Sequence, residues 1–118
     1  MREIGRLFRS LYTASYLNRA NSQQILQFLQ AASYDQLLKY QSPHPIASKY
    51  GIDINQGVYN EAGIVYLPHS PYLIAVLIQS KQGSIIPEPE SKARSVMQSI
   101  RQQITDYITT QIESNNQQ

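Results

Sequence analysis

Residues Tyr72-Leu73-Ile74-Ala75-Val76-Leu77-Ile78 form an apolar run with no charge, proline or glycine inside it. Its length suits a strand, and its lack of polar alternation predicts a central strand covered on both faces. A second strand is expected from about Val58 to Leu67, joined to the run by the turn Pro68-His69-Ser70-Pro71. A first strand begins at Ile46 and reaches the second through Asn55-Gln56-Gly57. Connections this short dictate an antiparallel meander of three strands. The apolar run then has a partner on one side only. The pattern calls for further strands, from an N-terminal segment or another subunit, or for self-association through the Tyr72–Ile78 edge.

Helical periodicity flanks this sheet. Ile4, Leu7, Phe8, Leu11, Tyr12 and Tyr16 recur at helical spacing and predict one buried stripe. Asn21 reads as an N-cap, with Gln24 completing a capping-box pattern, for a second helix carrying Ile25, Leu26, Phe28, Leu29 and Ala32. A helical turn is expected around Asp35–Tyr40, ended by Pro43 and Pro45. A loop from Ser80 to Pro87 leads to a last helix with Pro89 in its first turn. Its stripe is Ala93, Val96, Met97, Ile100, Ile104, Tyr107 and Ile108, and residues 114–118 are expected to be a disordered tail. The predicted class is α+β: a three-stranded antiparallel meander with two N-terminal helices and a long C-terminal helix packed on the sheet. Residues 1–118 form a single partial domain.

Several functions are excluded by what the chain lacks. Ten basic and eight acidic residues are dispersed, with no basic stripe interleaved with aromatics, so nucleic acid is not an expected partner. No cysteine is present, and His44 and His69 sit beside prolines in loops without a metal-ligand spacing partner, so neither a metal site nor a cofactor is expected. The segment from Met1 to Arg6 leads directly into the amphipathic pattern, so no signal peptide is expected in this sequence, and no apolar run approaches the ~20 residues of a membrane span.

Lys49-Tyr50-Gly51 is the candidate site. It puts a fixed cation on the first strand, beside a glycine that leaves room next to the backbone. Such an edge can hold the carboxylate of an extended, peptide-like ligand. Strict alternation places Lys49 and Gly51 on one face and Tyr50 on the other. An edge-strand lysine that discourages aggregation and a strand-end turn glycine are the simpler alternatives. Asn60 and Glu61 are read as structural, and Tyr66 and Tyr72 as cross-strand packing beside the turn.

Ile46-Ala47-Ser48-Lys49-Tyr50-Gly51, Gly57-Val58-Tyr59-Asn60-Glu61-Ala62-Gly63-Ile64-Val65-Tyr66 and Pro71-Tyr72-Leu73-Ile74-Ala75-Val76-Leu77 together resemble the C-terminal third of class A β-lactamases and related penicillin-recognising serine hydrolases. The resemblance extends to the helices before the first strand and to the closing helix. It implies hydrolysis of a β-lactam, or of a peptidoglycan-like D-Ala-D-Ala peptide, through an acyl-serine intermediate. Lys49 would hold the substrate carboxylate, Gly51 would keep the groove open, and Ile52 would supply one backbone N–H of the oxyanion hole. Tyr50 stands where the family has threonine, which removes a hydroxyl close to the backbone. Such enzymes are usually periplasmic or extracellular.

The family's nucleophile lies in an S-x-x-K motif, followed by an S-D-N loop. No serine of this chain has lysine three residues on, and Ser-Asp-Asn does not occur. No catalytic residue is therefore assigned, and the substrate-binding set is Lys49, Tyr50, Gly51 and Ile52. Two readings follow. One is a truncated serine hydrolase, inactive alone. The other is a non-catalytic binding or assembly module that keeps part of the fold.

Overall fold

In the computed structural model, which describes residues 2–81 and 89–117, β1 (Ile46–Asp53), β2 (Val58–Val65) and β3 (Tyr72–Gln79) form one antiparallel sheet in chain order. The first hairpin pairs Ile46 with Val65 and Asp53 with Val58; the second pairs Val58 with Gln79 and Val65 with Tyr72. The first turn closes through a short 3-10 segment, Ile54–Gln56. Asp53 accepts from the Gln56 N–H at 3.3 Å, and Gly57 takes the left-handed conformation at φ 65°. A Cβ at Gly57 would also strike the Ser80 side chain. Glycine is thus required twice over at this corner.

α1 (Arg2–Thr13) and α2 (Arg19–Ala31) cover one face of β1 and β2. Phe8, Leu11 and Leu26 meet Ala47, Ala62 and Ile64 there. The N-cap of α2 is Asn18, not Asn21: Asn18 Oδ1 accepts from the Asn21 N–H at 2.8 Å. Capping at Asn18 adds nearly a turn of helix, and each added residue contributes a backbone bond once nucleation is met. Lys39 closes the other end, its Nζ donating to the carbonyls of Leu29 (2.8 Å) and Ala32 (3.0 Å). The expected stripes are only partly buried. Leu7, Tyr12, Tyr16 and Phe28 remain exposed, because among the described residues no further layer packs over these two helices.

α1 ends in a Schellman-type closure, with the Ser15 N–H on the Ser10 carbonyl and the Ala14 N–H on Leu11. Ala14 holds the left-handed position at φ 52°, where a Cβ costs about 1–2 kcal/mol. Ala14→Gly should raise stability by about 0.5–1 kcal/mol, the gain being trimmed by glycine's larger unfolded-state entropy. A shift of the urea midpoint to higher concentration at constant slope checks it.

α3 (Pro89–Asn116) packs on the other face of the sheet, with Ala93 and Met97 against Tyr59, Val65, Ile74 and Val76. Its buried line runs Ala93, Met97, Arg101, with Ile100 and Ile104 at its margin. Val96 and Tyr107, expected in the stripe, are exposed. The helix continues through residues 114–116, which were expected to be a disordered tail, while residue 118 lies outside the described residues. The expected loop from Ser80 to Pro87 lies outside them from residue 82 onward.

One further expectation changes. Tyr72 does not pair with Tyr66: its hydroxyl bonds the Arg101 carbonyl (3.2 Å) and Thr105 Oγ1 (3.0 Å) on α3, while Tyr66 packs on the opposite face. Among the described residues the apolar run, β3, has a strand partner on one side only, β2, as the strand order in the sequence anticipates. α3 buries its Ile74 and Val76, but Leu73, Ala75 and Leu77 on its other face are exposed.

Candidate functional site

Where β1's backbone groups point follows from the ladder. The Tyr66 N–H bonds the Pro45 carbonyl, and each pair of β1 with β2 sums to the same register as that one. Hydrogen-bonded pairs alternate with non-bonded ones in an antiparallel ladder. Ala47, Lys49, Gly51 and Asp53 therefore spend their backbone groups on β2. Ser48, Tyr50 and Ile52 direct theirs to the open edge of the sheet.

The side chains follow the expected alternation. Lys49 and Gly51 lie on the α1–α2 face, with Ala47 and Ala62. Tyr50 lies on the other face and stacks on Tyr34, ring centroids 4.0 Å apart. Tyr34 in turn donates to Glu90 Oε1 at 2.7 Å, and burial together with that carboxylate pushes its hydroxyl pKa far above the ordinary value. The Tyr50 phenol is thus committed to an aromatic stack. Lys49 bends back over the strand edge. Its Nζ donates to the Tyr50 carbonyl at 2.9 Å and lies 4.2 Å from the centre of the Tyr50 ring.

A cleft of about 330 Å³ opens here, walled by Glu3, Ile4, Lys49, Tyr50, Asn60, Glu61 and Ala62. Beside it, a more apolar groove of about 410 Å³ runs between α1 and α2, with Lys49 at its margin. Gly51 is a mid-strand residue facing Asn60, not a turn glycine. A Cβ at Gly51 would lie 2.5 Å from Asn60 Oδ1, so the room expected beside this glycine is filled by the Asn60 carboxamide. Glu3, Asn60 and Glu61 are polar wall residues that the sequence did not place in the site, the last two having been read as structural. The signal for Asn60 was present: the turn at Asn55-Gln56-Gly57 fixes the register that sets it opposite Gly51. Glu3 had no such signal, because it arrives from α1 by packing.

Glu61, on the strand behind, is only 2% exposed and has a structural setting. It accepts from the Leu38 N–H at 3.1 Å and from the Ser48 hydroxyl. Ser48 precedes Lys49, so this buried carboxylate fixes the strand that bears the cation. Among the described residues, no cluster of His, Cys, Asp or Glu could hold a metal ion, and no helix is long and apolar enough to cross a membrane.

A sequence model of the beta-lactamase enzyme family matches residues 1–108. No curated protein matches the sequence. Among solved structures, PBP-A is similar over 89% of this chain at 21% identity and a TM-score of 0.69, and a PBP-A mutant is known as an acyl-enzyme complex with penicillin G. A β-lactamase from Chitinophaga pinensis is similar over 80% of this chain at 22% identity, TM-score 0.64. One from Sphaerobacter thermophilus is similar over 85%, at 15% identity and TM-score 0.65. This chain spans 39%, 37% and 38% of those three proteins.

Proposed function

We propose, from the premise that this chain belongs to the beta-lactamase enzyme family, that β1 is one wall of a β-lactam-recognising serine-hydrolase cleft whose nucleophile lies outside these residues. The observation that supports it is the open edge of β1. There the backbone groups of Tyr50 and Ile52 point outward beside the Lys49 ammonium. An extended ligand that bears a carboxylate can add to such an edge through main-chain hydrogen bonds while its charge meets the lysine.

In this reading Lys49 exchanges the Tyr50 carbonyl and ring for the ligand carboxylate. The Ile52 N–H then faces the lactam carbonyl oxygen, where negative charge develops as a serine attacks. That serine, its lysine and the second oxyanion N–H come from the S-x-x-K segment that this sequence lacks. Lys49 acts electrostatically, Gly51 and Asn60 set the floor of the groove, and Tyr50 contributes its backbone. Its ring is held by Tyr34, so no hydroxyl takes the place of the family's threonine.

Two measurements test this. Nitrocefin hydrolysis by the chain alone should stay at the buffer rate, and turnover above it would overturn the assignment of the nucleophile elsewhere. Penicillin G titrated into ¹⁵N-labelled protein should shift the Tyr50 and Ile52 amides. Lys49→Ala should weaken that binding at least about tenfold, the contribution of one charge-assisted contact. Equal binding by the variant would remove Lys49 from the site.

A further inference from the structure

Lys49 and Tyr50 leave β1 on opposite faces of the sheet, yet their side chains meet. The lysine stem starts on the α1–α2 face and rounds the strand edge. Its Nζ ends 2.9 Å from the Tyr50 carbonyl oxygen and 4.2 Å from the centre of the Tyr50 ring. Successive side chains of a strand point apart, so this contact needs a ring that stays at the edge. Tyr34 keeps it there. The two rings stack with centroids 4.0 Å and planes 28° apart, and Tyr34 donates to Glu90 of α3 at 2.7 Å. A line of contacts from Glu90 through Tyr34 and Tyr50 thus ends on the ammonium.

The ammonium covers a group that an added ligand needs. Tyr50 directs its carbonyl to the outer side of β1, in the same row as the Ile52 N–H. A ligand that adds through its main chain must take this acceptor from Lys49. A ligand carboxylate gives the lysine a stronger, charge-assisted contact in exchange. A neutral ligand leaves the ammonium with water alone.

We propose that Tyr50 and Tyr34 are specificity-determining residues: they latch Lys49 over the outward carbonyl of Tyr50, and the latch opens for a ligand that bears an anion. This specificity rests on the reading of β1 as a ligand-binding wall. The Tyr50 ring touches no ligand and acts through the lysine. At an exposed site a ring face raises the occupancy of a cation about two- to fivefold, and the ammonium–carbonyl hydrogen bond adds a further factor. The latch also reconciles two demands on β1. Without ligand, a charge over the acceptor blunts the strand against neutral chains. With an anionic ligand, the charge moves onto the carboxylate and the acceptor is released.

Penicillin G and its methyl ester, which differ by one charge, test this by titration into ¹⁵N-labelled protein. In the free wild-type chain the Lys49 Hε protons should lie upfield of free lysine, shifted by the Tyr50 ring current, and penicillin G should move them back. The ester should bind at least about tenfold more weakly than penicillin G. Lys49→Ala should move the two ligands in opposite directions: penicillin G binds more weakly, and the ester binds about two- to tenfold more tightly than to wild type, because the Tyr50 carbonyl is uncapped. Tyr34→Phe keeps the stack and should keep both the upfield shift and the preference. Tyr34→Leu should lose the upfield shift and gain about two- to fivefold for the ester. A merely structural role for Tyr34 would lower stability and move neither readout. Lys49 Hε protons at the free-lysine position, or an ester that Lys49→Ala leaves unchanged, weakened or unbound, would overturn the latch. Penicillin G that shifts no amide overturns the β-lactam reading instead, and the gain of the ester in Lys49→Ala still decides the latch.

Discussion

Gly63→Ala should destabilise the protein by about 3 kcal/mol or more, a severe effect for a single methyl group. Gly63 faces Ser48 across the first hairpin, in a non-hydrogen-bonded pair, the type in which two strands approach most closely. A Cβ there would lie 2.4 Å from the Ala47 carbonyl oxygen, 2.5 Å from Ser48 Cβ and 2.8 Å from Ser48 Cα. None of these atoms can step aside. Two are backbone, and the Ser48 side chain is tied to buried Glu61. Relief requires β1 and β2 to separate at the residue before Lys49, so the substitution should also displace the candidate site.

Gly51→Ala is the control. Its Cβ would also be crowded, at 2.5 Å, but by the Asn60 carboxamide, which can rotate away. A loss of less than about 1 kcal/mol is expected. Urea unfolding of both variants decides the matter, and equal midpoints would show that the hairpin yields as easily as a side chain.

Arg101→Ala should cost about 2–4 kcal/mol, although Arg101 lies on α3 and far along the chain from the strands. Arg101 is 3% exposed, and its guanidinium donates to the carbonyls of Leu38 and Tyr40. Burial lowers its pKa, yet a guanidinium stays charged under all ordinary conditions. The Leu38 N–H is held in turn by Glu61, and Glu61 holds Ser48. One hydrogen-bonded chain thus runs from α3 through the 38–40 segment to β2 and β1. Arg94 braces the same segment through Gln36 and lies over the Tyr40 ring.

Truncation at Arg101 leaves two carbonyls in the interior without a donor and opens a void beside Met97. Arg101→Lys should recover less than half of the loss, because an ammonium on a shorter, non-planar stem does not reproduce the fork. Chemical denaturation gives the energies, and the Ser48 and Lys49 amide shifts report whether the strand has moved. A full recovery by lysine would mean that charge alone, not the two-carbonyl geometry, holds the segment.

The strands were legible from Ile46 onward because hairpin geometry is local. Asn55-Gln56-Gly57 and Pro68-His69-Ser70-Pro71 fix which residue faces which, and the side-chain period of two does the rest. The placement of Lys49 and Gly51 on one face and Tyr50 on the other followed from that period alone. Helical faces were read less well. Periodicity identifies an apolar stripe but not whether anything covers it. Leu7, Tyr16 and Phe28 follow the rule and are exposed, while charged Arg101, which no stripe includes, is buried because two loop carbonyls await it.

The sequence by itself determined the α+β class, the order of its elements, the two antiparallel hairpins and their turns, the family, and the absence of S-x-x-K from these residues. Only the tertiary structure decided that Tyr50 stacks on Tyr34, that Asn60 fills the space beside Gly51, and that Glu61 and Arg101 anchor the strand behind Lys49. The division has one physical cause. Turns and periods act between near neighbours, which a sequence displays, whereas burial and edge exposure depend on what packs from far along the chain.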